Sequence, residues 1–266
     1  MVVARVVTDF VVRQLQSSAF AIGLLAAMAL TKSLPDLPIA RYDLLFVICL
    51  LLQAGMIALR WETWREVGIL AIFHIVGVGL EWFKVRSGSW SYPEPAVLKA
   101  YGVPFYSGFM YASVASYMSQ AWRMLDLEFV RWPQTSTAMF VLAVVYGQFF
   151  LPVQTLNVRY AALLVVLFAF WRTRVAFTAG GERLAMPLPL SFLLIGTCIY
   201  GGENIATFFG AWTYPYQQAS WQPVHVSKVI SWTLLMVVSL AIVHAYHCRF
   251  GIPKLRTPAL STAHNE

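Results

Sequence analysis

Two glutamates stand in long apolar stretches of this 266-residue chain: Glu81 in "VGVGLEWFKVRSGSWSYP" and Glu203 in "CIYGGENIATFFGAWTYP". Seven positions after each begins the same pattern, Gly-x-Trp-x-Tyr-Pro, at Gly88–Pro93 and Gly210–Pro215. A carboxyl group in or near hydrocarbon costs a few kcal/mol, so it must face the protein interior or a wet cavity. Desolvation there favours the neutral form, which suits the group to give or take a proton on a bound molecule. A plainer account competes with this one: each glutamate accepts hydrogen bonds from its own Trp-Tyr loop and pins it, as polar side chains tie helices together in membranes.

His74 precedes Glu81 by seven residues on the same helical face, where the second stretch carries Gly196. His225 follows the second motif, within reach of Glu203 across a short loop. The candidate acid/base set is therefore Glu81, Glu203, His74 and His225. Two Glu and two His would also suit a transition metal, but neither HExxH nor ExxH spacing occurs, and no metal or other cofactor is expected. Trp90, Tyr92, Trp212, Tyr214 and Tyr106 either anchor the loops at the membrane interface or line the mouth of a pocket for a flat hydrophobic ligand. Smaller roles are expected too: Asp43 pairs with Arg41, and Lys84 and Arg86 mark the membrane interface or pair with Glu94, a role with an anionic head group being the lesser reading. His244 and His247 suit the C-terminal end of a helix.

The elements that position these residues follow from the charge pattern. Hydrophobic residues make up 59% of the chain and charged residues 12%, about half the charged share of a soluble domain. Uncharged runs of bilayer-crossing length recur. The fold class is thus all-α, a polytopic membrane protein of about eight spans near 14–31, 42–59, 67–83, 100–122, 134–151, 155–171, 184–207 and 229–248. The break between the fifth and sixth is placed at Pro152, Gln154 and Asn157. The apolar stretch behind Arg5 and Arg13 reads as a true first helix rather than a leader, because the second half repeats it. Net charge is +7, but the basic residues are scattered through short loops without a nucleic-acid-binding motif, so no nucleic-acid partner is expected. Counting them by side gives twelve with the termini and seven opposite, which puts both termini in the cytoplasm and both Trp-Tyr motifs outside. Cys49, Cys198 and Cys248 form no CxxC pair, and neither a disulfide framework nor a zinc site is indicated.

The doubled motif belongs to a longer match. Arg41–Tyr42 recurs at Arg159–Tyr160, Leu34–Pro35 at Leu151–Pro152, Gly79 at Gly201, and Pro104 at Pro223. The offsets stay between 117 and 122, so the chain reads as one four-helix unit used twice, residues 1–131 and 132–250, with a polar tail at 251–266. An even number of spans per unit gives parallel repeats about a pseudo-two-fold along the membrane normal, with the two glutamates on either side of it.

The stretches "FHIVGVGLEWFKVRSGSWSYPEP", "GVPFYSGFMYASVASYMSQAW" and "ENIATFFGAWTYP" resemble the YoaT-type family of bacterial integral membrane proteins. The resemblance implies a bacterial inner (plasma) membrane protein and brings no activity with it. A more distant likeness links Glu81, Gly88, Trp90, Tyr92, Gly102 and Pro104 to membrane carotenoid hydratases and heterodimer-type lycopene cyclases, which would imply acid chemistry on polyene ends. Three functions follow as expectations: an enzyme acting on a lipid or isoprenoid, a small-solute transporter, or a structural or accessory protein. The expected partners are the lipid bilayer and a hydrophobic small molecule.

Overall fold

Local signals set where the helices begin and end. Thr63 and Glu66 in "TWRE" form a reciprocal capping box, the Thr63 side chain accepting from the Glu66 N–H while Glu66 Oε2 accepts from the Thr63 N–H at 2.8 Å. The computed structural model describes residues 2–34, 39–151 and 156–251. The Leu34–Pro35 and Leu151–Pro152 pairs, the break at Pro152 and Gln154, and the polar tail past Gly251 lie wholly or partly outside the described residues.

The chain is mostly helical. In order it forms α1 (Val2–Ser17), α2 (Ala19–Ser33), α3 (Arg41–Ala58), α4 (Trp64–Arg86), α5 (Tyr106–Met124), α6 (Thr135–Gln148), α7 (Leu156–Phe170), α8 (Leu188–Phe208) and α9 (Lys228–Phe250). Three of these, α3, α4 and α9, are each long and apolar enough to cross a membrane. The pair α1–α2, bent by 62° at Ser18, supplies a fourth such span if taken together, while α6 and α7 are apolar but shorter. Among the described residues, three or four candidate spans thus meet the length and apolarity of a crossing helix. Large apolar side chains such as Leu51, Ile75, Phe140, Leu164 and Phe168 point outward and exposed, as contact with hydrocarbon requires.

Helix α5 is the opposite case. Ser107, Gly108, Ala112, Ala115, Ser116 and Ser119 bury its surface against its neighbours, because small side chains let backbones approach closely. At Gly108 a Cβ would come within 2.7 Å of the His74 ring.

Two sequence expectations change. The first helix starts at Val2 rather than near residue 14, and its first segment does not continue straight into α2. It lies instead on a three-stranded antiparallel sheet of β3 (Glu128–Val130), β4 (Arg174–Ala179) and β5 (Glu182–Pro187), following a short hairpin of β1 (Lys99–Ala100) and β2 (Val103–Pro104). Val175 pairs with Phe129 on one side and Met186 on the other. Residues 184–187, expected in the seventh span, and Ala100, Val103 and Pro104, expected in the fourth, are therefore strand, so the fold is mostly helical rather than all-α. Gly180 and Gly181 turn the hairpin with φ of +57° and +81°, the left-handed pair that a tight two-residue turn demands. Asp9 of α1 accepts the Gly180 N–H at 2.6 Å, and Phe10 packs on Phe177.

Candidate functional site

Both glutamates sit about two turns before the glycine that follows the end of their helix. At the end of α4, Gly88 adopts φ +71°, its N–H bonding the Val85 carbonyl at 3.0 Å and the Ser89 N–H bonding the Lys84 carbonyl at 2.9 Å. At the end of α8, Gly210 adopts φ +68°, with Gly210 N–H to Thr207 at 3.0 Å and Ala211 N–H to Ala206 at 2.9 Å. These are the bonds that close a helix through a left-handed residue, which glycine adopts without strain. The chain then doubles back, so the Tyr of each motif reaches the glutamate of its own helix.

Glu81 is 2% exposed and takes three neutral donors. Its Oε2 accepts from Trp90 Nε1 at 2.6 Å and the Tyr92 hydroxyl at 2.8 Å, and its Oε1 from the Tyr111 hydroxyl at 2.8 Å. Glu203, also buried, accepts from the Tyr214 hydroxyl and from Trp232 Nε1, the latter at 2.7 Å. Its third partner is charged: Lys228 Nζ stands 3.7 Å from Oε1. That ammonium also lies 4.8 Å from the Trp90 ring centre and 4.7 Å from that of Tyr214, a cation–π placement reaching both motifs. Burial pushes the phenols of Tyr92 and Tyr214 well above their ordinary range, so each stays a hydroxyl donor to its glutamate.

The two motifs touch through their backbones. Ser91 and Thr213, which hold the same place in each pattern, exchange N–H···O=C bonds of 2.9 Å in both directions. Arg41 braces the junction, donating to the Phe209 and Gly210 carbonyls at the end of α8 at 2.8 and 3.2 Å and pairing with Glu94 at 2.8 Å.

Between these elements lies a cavity of about 730 Å³. Glu81, Glu203, Lys84, Arg159, Lys228, Trp90, Trp212, Trp232 and Tyr214 line one part of it. The remainder is mainly apolar, running along α2, α5 and α8 to Phe10 and Tyr117. Several wall residues are also exposed on the outside of the molecule, Leu15, Ile22 and Leu194 among them.

The structure brings together only part of the set read from sequence. Glu81, Glu203, Trp90, Trp212 and Tyr214 meet on one wall. His74 does not join them: it packs edge-on against Phe109 at 4.6 Å, between α4 and α5. His225 bonds Ser227 in the exposed loop at 2.8 Å, and Lys228 takes the place beside Glu203 expected of it. Tyr92 and Tyr106 lie behind the wall, Tyr92 donating to Glu81 and Tyr106 to the Ala211 carbonyl. Asp43 accepts the N–H groups of Val97 and Leu98 at 2.8 Å each, leaving Arg41 to Glu94; Lys32, rather than Lys84 or Arg86, is the second partner of Glu94, at 3.4 Å. Among the described residues no three His, Cys, Asp or Glu side chains converge as metal ligands.

Tyr111, Trp232 and Lys228 were not legible as site residues. One signal existed for two of them: Tyr111 and Trp232 follow their glutamates by 30 and 29 positions, a donor aromatic at matching places on the next long helix.

Fold and site together define a helical protein with three or four candidate membrane spans around a cavity walled by apolar side chains and two buried glutamates. The family model described as "Protein of unknown function (DUF817)" matches residues 6–240. The chain is also 46% identical over 230 residues to the "Uncharacterized protein YoaT" of Bacillus subtilis (strain 168), covering 86% of this chain and 87% of that one. The chain belongs to this YoaT-like DUF817 family. No solved structure matches it, and neither match names a carotenoid enzyme.

Proposed function

We propose that this is an integral inner-membrane protein that draws a lipid or isoprenoid into its central cavity and acts on it with Glu81 and Glu203 as acid and base. The observation carrying this reading is the shared cavity: two buried carboxyl groups from separate helices face one largely apolar space whose wall residues extend to the outer, lipid-facing surface. A neutral carboxyl on one side would deliver its proton to an alkene carbon, breaking O–H and forming C–H. The resulting carbocation would lie against the faces of Trp90, Trp212, Trp232 and Tyr214. Loss of a neighbouring proton to the other carboxylate completes a double-bond shift with no co-reactant. His74 and His225 have no part in this scheme.

The same reading takes the matched helix ends, the matched glutamates and the two-way Ser91–Thr213 exchange as support for one four-helix unit used twice, eight spans in all. The surplus of basic residues on the side of the termini supports a cytoplasmic location for both ends.

The test is expression in a host that makes long-chain polyenes, with mass spectrometry of its lipids. A new isomer made by the wild type and absent with Glu81→Gln or Glu203→Gln is expected. Identical lipid profiles for wild type and both variants, at equal protein abundance, would sink the enzymatic reading.

A further inference from the structure

Three cations line the cavity: Lys84 near the end of α4, Arg159 near the start of α7 and Lys228 at the start of α9. They are close enough to act on one another electrostatically, Lys228 and Arg159 on Lys84 and Arg159 on Lys228. Among the described residues the wall supplies two carboxylates against them. Glu203 pairs with Lys228, and Glu81 is already filled by two hydroxyls and an indole. Among the described residues no carboxylate comes within 4.0 Å of Lys84 or Arg159. Even with both glutamates ionised the wall keeps an excess of one positive charge, and more with either neutral. Surplus charge in a low-dielectric cavity is costly unless a counter-charge joins it. The rest of the cavity is lined mainly by apolar side chains, which suits an anion carried at the end of an apolar chain.

We propose that Lys84, Arg159 and Lys228 form a subsite for a phosphate or pyrophosphate group, and that the cavity takes a single-chain amphiphile whose apolar tail runs along α2, α5 and α8. Arg159 offers the planar fork that matches phosphate oxygens two at a time, and the lysines act as point charges beside it. This deepens the lipid reading above and rests on it.

The experiment uses full-length protein in a non-ionic detergent and follows quenching of its tryptophan fluorescence, since Trp90, Trp212 and Trp232 stand in the cavity wall. The probes are dodecyl phosphate, dodecanol, dodecyltrimethylammonium and inorganic phosphate. Dodecyl phosphate is expected to bind at least about ten-fold more tightly than dodecanol or the cationic analogue. Lys84→Gln and Arg159→Gln should each remove most of that preference and leave dodecanol binding unchanged, which separates a lost subsite from a misfolded protein. Equal binding of dodecyl phosphate and dodecanol overturns the anionic subsite and leaves the lipid cavity standing. Failure of all three chain-bearing probes overturns both. Tight binding of inorganic phosphate alone overturns the amphiphile and leaves a site for a free anion.

Discussion

The two glutamates are equivalent in place and unequal in charge environment. Glu81 is held by neutral donors, whereas Glu203 balances the ammonium of Lys228. Replacing either with Gln turns an accepting oxygen into a donor facing donors. For Glu81→Gln the expected loss is about 1–3 kcal/mol, the cost of buried groups left unmatched. For Glu203→Gln it is about 3–5 kcal/mol, because a half-buried ammonium also loses its counter-charge. Thermal unfolding in detergent should therefore rank Glu203→Gln below Glu81→Gln, and adding Lys228→Met to the former should recover part of the difference. Equal losses, or no recovery, would mean that the ion pair is not what separates the two sites. At this scale the sequence was partly readable. Each motif tyrosine reaches the glutamate eleven positions earlier, as the repeat pattern implies. The indole does not keep step: Trp90 serves Glu81, but Trp232 rather than Trp212 serves Glu203. A pattern fixes which residues lie near a carboxylate; the rotamers that choose its donors depend on the neighbouring helix.

At the scale of elements, α8 and α9 meet where Gly196 lets them touch, a Cβ there falling 2.7 Å from the Thr233 backbone nitrogen. Backbone cannot yield as a flexible side chain can, so Gly196→Ala must push α9 outward and draw Trp232 away from Glu203. A destabilisation of about 1–3 kcal/mol is expected, together with a red shift of tryptophan emission as that indole loses its partner. An unshifted, fully stable variant would show that the helices have slack at this point. Helix existence was read well from hydropathy, since each expected span contains a helix. What escaped was the sheet. "RVAFTAGGERLAMP" sets two short runs on either side of Gly-Gly, a hairpin signature, but it lies between two apolar runs, and its last four residues are read as the start of the second. The bend at Ser18 escaped for a similar reason: α1 is amphipathic, and only the hairpin it rests on shows that it leaves the direction of α2.

For the whole molecule, the junction of Ser91 and Thr213 ties segments far apart in sequence beside the two glutamate-bearing helix ends. Exchanged backbone bonds put the paired Cα atoms about 5.5 Å apart, within the range a disulfide spans. With Cys49, Cys198 and Cys248 replaced, a Ser91→Cys, Thr213→Cys double variant should oxidise to an internal crosslink at monomer size. Crosslinked dimers, or no crosslink, would contradict the juxtaposition. This contact could not be read from the chain, because nothing local to either motif names its partner. It has an implication for ancestry. If the proposed four-helix repeat holds, a residue that bonds its own counterpart in both directions marks an axis, and the unrepeated unit would have met a second copy of itself across it as a self-complementary pair. Two identical subunits must carry identical residues. On that reading fusion into a single chain lifts the obligation, and Lys228, whose counterpart by the Tyr111–Trp232 match is Ser107, is the kind of difference that a fused pair can acquire.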